Sequence, residues 1–422
     1  MSALLDSLAP RADGDAARQA LLDAAVRDGL PGKRVERWKY TSLQALGQRA
    51  FASTAATAAI DAAALAHIPA PRIVFVNGRH DANLSDLHDL PAHVVVRSRA
   101  DALATACGAD DATIAPTHAR ADAVFDRLNA ALAGDGVSLL AGTDAHAPTP
   151  IHLVFIGAPA SADLAWHARH RIELAAGAAV TVLEHHLASA AHAHLGNTML
   201  QVQLGEGAQL RHLRIQHEDA GASLIARTDA CLGSDARYLR LDLELGAGLS
   251  RHELNVRLEG ERARLEAHGV LLATGSRHLD TRIGIEHVAR DSACELIWRG
   301  MAGDHGRAAF HGGIVIQPGA DGSDARLSNK NLLLSSGAEI DTQPVLEIHA
   351  DEVKAAHGAT VGQLDERALF YLRSRGIGLA QARRMLTAAF ARQVLALLPD
   401  DALLHTASSA LDAALAHIEG ER

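Results

Sequence analysis

Apolar residues change their period twice along this chain. Up to about residue 65 they fall at helical intervals, as in Ala17, Leu21, Leu22 and Ala25, with breaks at Gly29, Pro31 and Gly32. That spacing predicts a small helical region. At 71–78 the run PRIVFVNG is β-branched and closes on Asn77-Gly78, the mark of a strand entering a tight turn. A mixed segment follows to about residue 137, with an amphipathic helix predicted over 122–132, where Val124, Phe125, Leu128 and Leu132 share a face.

From 136 to about 363 the pattern settles into short alternating runs separated by turns. IELAAGAAVTVLEHH (172–186), LDLELGAGLSRHELNVRL (241–258) and LLLSSGAEIDTQPVLEIHADEV (332–353) each pair two strands across a turn of small or acidic residues. No helical stretch is long enough for β-α-β crossovers, which excludes a doubly wound sheet. Among a sandwich, a propeller and a parallel β-helix, the coil-by-coil similarity and sparse aromatics favour the β-helix. A solenoid needs its ends covered, and the flanking helical regions are expected to cap it.

After Asp365 the helical period returns. Asp365 is placed to cap a helix over ERALFYLRSRG that stops at Gly376. A second helix aligns Leu386, Phe390, Val394 and Leu397, and a third aligns Leu404, Leu411, Leu415 and Ile418. The expected division is a helical and mixed region over 1–135, a β-helix core over 136–365 and a helical domain over 366–422.

Composition narrows the classes. The chain has 422 residues and a formal charge of −10 with acids and bases interleaved, which argues against a nucleic-acid footprint. No apolar run reaches the roughly 18 residues that span a bilayer. The N-terminal stretch has neither a basic leader nor an apolar core, so a cytoplasmic protein is expected. Cys107, Cys231 and Cys294 are too far apart for a disulfide framework or a Cys-x-x-Cys metal pair. The phosphate loop, the His-Glu-x-x-His zinc motif and the Gly-x-Ser-x-Gly elbow are all missing.

Two features carry candidate chemistry. The run EHHLASAAHAH gathers His185, His186, His192 and His194. It reads as a strand end plus a loop, with solvated loop histidines the expectation rather than zinc ligands. The second is HADEVKAAHGATVGQ (349–363), where an extended segment delivers His357 immediately before Gly358. That imidazole fits three readings: a structural group, a general base, or a ligand offered at an interface. In Arg34–Ser42, RVERWKYTS, the neighbouring aromatics Trp38 and Tyr40 read as a packing anchor.

Several segments taken in order, RVERWKYTS, RIVFVNG, RHLRIQ, GRAAFHGGIVI and DARLSNKNLLLSSGAEIDTQPVLEIHADEVKAAHGATVGQLDERALFYLRSRGI, resemble the SufB/SufD family of the SUF iron–sulfur cluster assembly machinery. The WKYT and HGAT forms point to the SufD branch. The resemblance implies a right-handed parallel β-helix between helical regions, no catalysis, and assembly with SufB and with two copies of the ATPase SufC.

It further implies that the C-terminal helices dock SufC, with Phe370, Tyr371, Arg373, Arg375, Gly376 and Ile377 as the expected contacts. His357 would lie at the SufB interface facing a SufB cysteine, as a metal ligand of a transient iron–sulfur cluster shared with SufB, with no cofactor tightly bound. Some family members carry a cysteine two residues before this histidine, where this chain has Ala355, so more weight falls on His357. An isolated chain is expected to be able to form a homodimer. The competing expectation is a stand-alone β-helix enzyme acting on carbohydrate.

Overall fold

A computed structural model describes residues 2–9, 15–53, 58–98, 122–398 and 400–416. Cys107 and Ile418 lie outside the described residues. Successive strands from Val137 onward alternate between two ten-stranded sheets, so that each strand pairs with the strands two before and two after it in sequence. Within this stretch every pairing is parallel. This is a parallel β-solenoid with two strands per turn. The column Leu204, Leu232, Leu258, His287, Ile316 links five consecutive rungs of one sheet, so a turn takes 26 to 29 residues. Antiparallel strands occur at the N-terminal edge, where Arg79–His80 folds back on Arg72–Val76 through the predicted Asn77-Gly78 turn, and Val94–Ser98 joins Val137–Ala141.

The corners explain why small and acidic residues recur there. Gly177, Gly207, Asp235, Arg262, Asp291 and Gly322 occupy equivalent corner positions and all have positive φ. Each turns its N–H toward the next rung, as in Gly177 N to Glu206 O at 2.8 Å and Asp235 N to Glu261 O at 2.9 Å. Glycine reaches that region without strain, and aspartate tolerates it better than most residues.

Inward side chains of both sheets form one continuous core from Ile73 to Leu327. The outward sides are covered differently. The N-terminal helices Ala3–Leu8 and Ala16–Asp28, with the helix Val124–Leu132, lie on one sheet against Ala165, Leu195 and Ile225. Trp38 is buried in that layer with the Arg251 guanidinium 3.9 Å from its ring centre. Helices Leu379–Leu395 and Asp401–Ala416 lie on the other sheet, against Leu213, Leu241, Leu243, Leu245, Val270, Leu272 and Met301.

The helical regions therefore flank the solenoid, and the C-terminal one does not cap it as expected. The reason is visible in the strands: Leu241, Leu243 and Leu245 are outward yet apolar, and matching them buries more surface than covering a single rung would. Among the described residues no helix is long and apolar enough to cross a membrane.

Candidate functional site at the open end of the solenoid

The last rung consists of Glu339–Ile348 in one sheet and Lys354–Gln363 in the other. Each pairs on one side only, with Arg307–Ile316 and Asp324–Leu333 respectively. Two ten-residue strands thus present free edges side by side, and Ile348 and Val361 expose apolar surface there. Exposed edges of this length are templates for pairing with another chain.

His357 belongs to this rung, in mid-strand rather than at the helical boundary; the strand continues to Gln363 before the helix Glu366–Ser374, which Asp365 caps as expected. Its column runs Val182, His212, Arg240, Ala267, Leu296, Leu327, His357. Every earlier member is turned between the sheets and buried. His357 takes the same inward direction but is exposed, because no further rung lies over it. Ala355 continues the column Leu265, Cys294, Ala325 in the same way. A Cβ added at Gly358 would meet nothing within 4 Å, so the chain itself makes no use of that glycine's small size.

Beneath His357 lies a polar tie that the sequence reading did not single out. Thr342 Oγ1 donates across the core to Asn329 Oδ1 at 2.7 Å, and Asn331 Nδ2 donates to the same oxygen at 2.6 Å and to Thr360 O at 3.0 Å. Asn329 is fully buried. The Thr342 bond joins the two sheets, tying a strand of the last rung to the opposite strand of the rung before it. The only sequence signal of these bonds is that the inward positions held by Trp298, Gly300 and Phe310 one rung earlier become Asn329, Asn331 and Thr342.

The histidine run behaves differently from expectation. His185, His186, His192 and His194 are all buried rather than solvated. The strand Ala179–Ala188 turns His186 inward, where its Nε2 meets Glu184 Oε1 at 2.6 Å, and turns His185 outward, 3.0 Å from His152. His192 and His194 fill the next corner, on Glu218 and the Ala158 carbonyl. Corner residues of a solenoid are covered by adjacent rungs, which is why this stretch is not a solvated loop.

Glu184 also accepts from His212 at 3.0 Å. Burial opposes its charge, but the hydrogen bonds from His186 and His212 overcome that and hold its carboxyl well below the usual range. Arg214–Glu244 and Arg240–Asp242 extend this network through the lumen. It is enclosed, and its carboxylates are taken up by its own histidines and arginines, although Arg214 Nη2 is left buried without a hydrogen bond.

Among the described residues no three His, Cys, Asp or Glu side chains are placed to hold a metal ion. Cys231 and Cys294 are unpaired, and burial pushes their thiols up to about 11 and about 12. Both are protonated at neutral pH, which suits packing rather than ligation. The expected docking residues stand on the outer helix: Phe370 is 74% and Tyr371 57% exposed. Arg373 and Arg375 are exposed beside them, Gly376 (φ 86°) ends the helix, and Ile377 is half-buried.

Comparison with known proteins matches residues 155–390 to the family model for the SUF system FeS cluster assembly SufBD core domain. The chain is 32% identical over 390 residues to the iron-sulfur cluster assembly protein SufD of Escherichia coli, covering 91% of this chain and 89% of that protein. It is 31% identical over 395 residues to an iron-sulfur cluster assembly SufBD family protein of Synechocystis, covering 90% and 87%. A SufBD family protein of Mycobacterium leprae shares 31% identity over 262 residues, covering 60% of this chain and 65% of that one. A parallel solenoid of this length, matched along nearly all of it by iron–sulfur cluster assembly proteins, places the chain in the SufBD family of the SUF system.

Proposed function

We propose that this chain is a non-catalytic, SufD-type subunit of the SUF scaffold. It pairs with a SufB-type subunit through the edges of its last rung and offers His357 to a nascent iron–sulfur cluster, the cargo of the assembly. The observation that carries this reading is the exposure of His357 on a column otherwise buried, between two unpaired strand edges. One imidazole without companion ligands cannot hold iron, whereas an imidazole completed by a partner's thiolates can, and it releases the metal more readily than four thiolates do.

The helices 366–395 supply the second surface. Phe370 and Tyr371, with Arg373, Arg375, Gly376 and Ile377, form the face on which a SufC-type ATPase docks. Because the helix Leu379–Leu395 is buried against Val270, Leu272 and Met301, movement of the docked ATPase acts on the outward side of the strands that lead to the open end.

The test is co-expression with SufB and SufC. His357→Ala is expected to co-purify with both partners in wild-type proportion while cluster maturation in vivo is lost. Normal maturation by that variant, or failure of the wild-type chain to associate with SufB, overturns the reading. Substrate turnover by the isolated chain would overturn it in favour of an enzyme.

A further inference from the structure

The outward side of the sheet that carries Glu339–Ile348 holds a cation without an ion pair of its own close to the open end. Its column runs Arg227, Glu253, Arg282, His311, Gln343. Arg227 is bonded to Asp126 and Asp229. Glu253 is taken up by Arg37 and Arg251, and Asp280 in the neighbouring column by Arg251 and Thr41. Asp341, two rungs on from Asp280, has Lys39 and Arg307 as its cationic neighbours.

Arg282 makes no hydrogen bond or ion pair with any described residue, although it is only 9% exposed. The next two members of the column are also incompletely partnered. His311 Nδ1 and Gln343 Oε1 are buried without a hydrogen bond, while Gln343 Nε2 donates to Glu36.

The ground beside this column is open. On the far side from Asp280, the adjacent column runs Asn255, Gly284, Gly313. Two glycines on neighbouring strands leave a shallow floor next to Arg282 and His311. A Cβ at Gly284 would approach only Asn255 Oδ1 at 3.1 Å, and one at Gly313 only the His311 ring and a backbone carbonyl. Gly313 belongs to the His-Gly-Gly of GRAAFHGGIVI. Its neighbour Gly312 faces inward and has a packing reason, since a Cβ there would lie 2.3 Å from Leu327 Cδ1. Gly313 has none.

We propose that Arg282, His311 and Gln343, over the Gly284–Gly313 floor, form a binding site for a small oxyanion, specifically phosphate. An unpaired guanidinium presents a planar fork of donors matched to two oxygens of such an ion. The Gln343 carbonyl oxygen is an acceptor, so it suits an ion that keeps a proton on one oxygen near neutral pH. Phosphate does and sulfate does not. Burial and the Arg251 and Arg37 charges press the Arg282 pKa down to about 10 against the pull of the nearby Glu253 and Asp280 carboxylates, which are themselves bonded to Arg37, Arg251 and Thr41.

The experiment is isothermal titration of the full chain with inorganic phosphate, at constant ionic strength set with chloride, and again with sulfate. Phosphate is expected to bind with one site per chain, at least tenfold more tightly than sulfate. Arg282→Gln and, separately, Gly313→Val, each checked for wild-type circular dichroism, should weaken phosphate at least tenfold. No saturable phosphate binding, equal affinity for sulfate, or unchanged affinity in a folded variant overturns the assignment. If Arg282→Gln does not fold, Gly313→Val decides alone.

Discussion

Leu327 and His357 are register partners on adjacent strands and point the same way, yet one is 4% exposed and the other lies open to solvent. The column changes from core to surface within a single rung. Leu327→Ala is expected to cost about 2–5 kcal/mol, as for a buried leucine. His357→Ala should stay within about 0.5 kcal/mol. Urea denaturation of both variants checks the contrast; a large loss for His357→Ala would mean that its imidazole is structural.

The bond from Thr342 to Asn329 crosses the core directly below the open end. Thr342→Val keeps the shape and removes the donor, so stability should fall by about 1 kcal/mol. The local effect is more diagnostic. Amide hydrogen exchange should quicken in Glu339–Ile348 and stay unchanged in the rungs around Leu232. Unaltered exchange in that strand would show that its backbone ladder alone holds it.

Acid should destabilise the fold from just below neutrality. Burial lowers His152, His170, His268 and His287 to about 4 and His185 to about 3. Below the unfolded value near 6.5 the unfolded chain takes up protons that the folded chain refuses. The stability is therefore complete above about pH 6.5 and drains away as pH falls toward 4. Asp126, raised to about 6 mainly by burial, acts in the opposite sense between its unfolded value and pH 6, as does Asp341, but the lowered histidines, His311 among them, outnumber these acids. Melting temperature should decline steadily from pH 7 to 5. His185→Gln should reduce the pH dependence of stability by about 1 kcal/mol per pH unit averaged over that window, approaching about 1.4 at its acid end. A slope unchanged by that substitution counts against this account.

The solenoid was readable because alternation with turns at short spacing admits few other folds, and the Asn77-Gly78 hairpin and the 124–132 helix were readable from their own chemistry. Where the helical regions lie was not readable. The stripe through Phe390 and Val394 says only that something covers it. The decisive signal was in the strands, where Leu241, Leu243 and Leu245 are apolar although they face outward. Those runs look like ordinary alternation until one knows which parity is inward. His357 was found through its motif, but its exposure follows from the absence of a rung above it, which no local pattern states. A trace does exist: the inward series Cys294, Leu296, Trp298 becomes Ala355, His357, Ala359 two rungs later. The burial of His185, His186, His192 and His194 left no comparable mark, since a histidine-rich stretch reads as polar whether or not neighbouring turns close over it.

A stack of parallel turns has no natural stopping point, and here the finishing helices went to the sides. A chain whose last rung stays unpaired carries a half-built template whose completion by the wrong strand is favourable. On the pairing proposed above, balanced synthesis of the two subunits is a requirement for keeping the protein usable, imposed by the backbone before any chemistry begins.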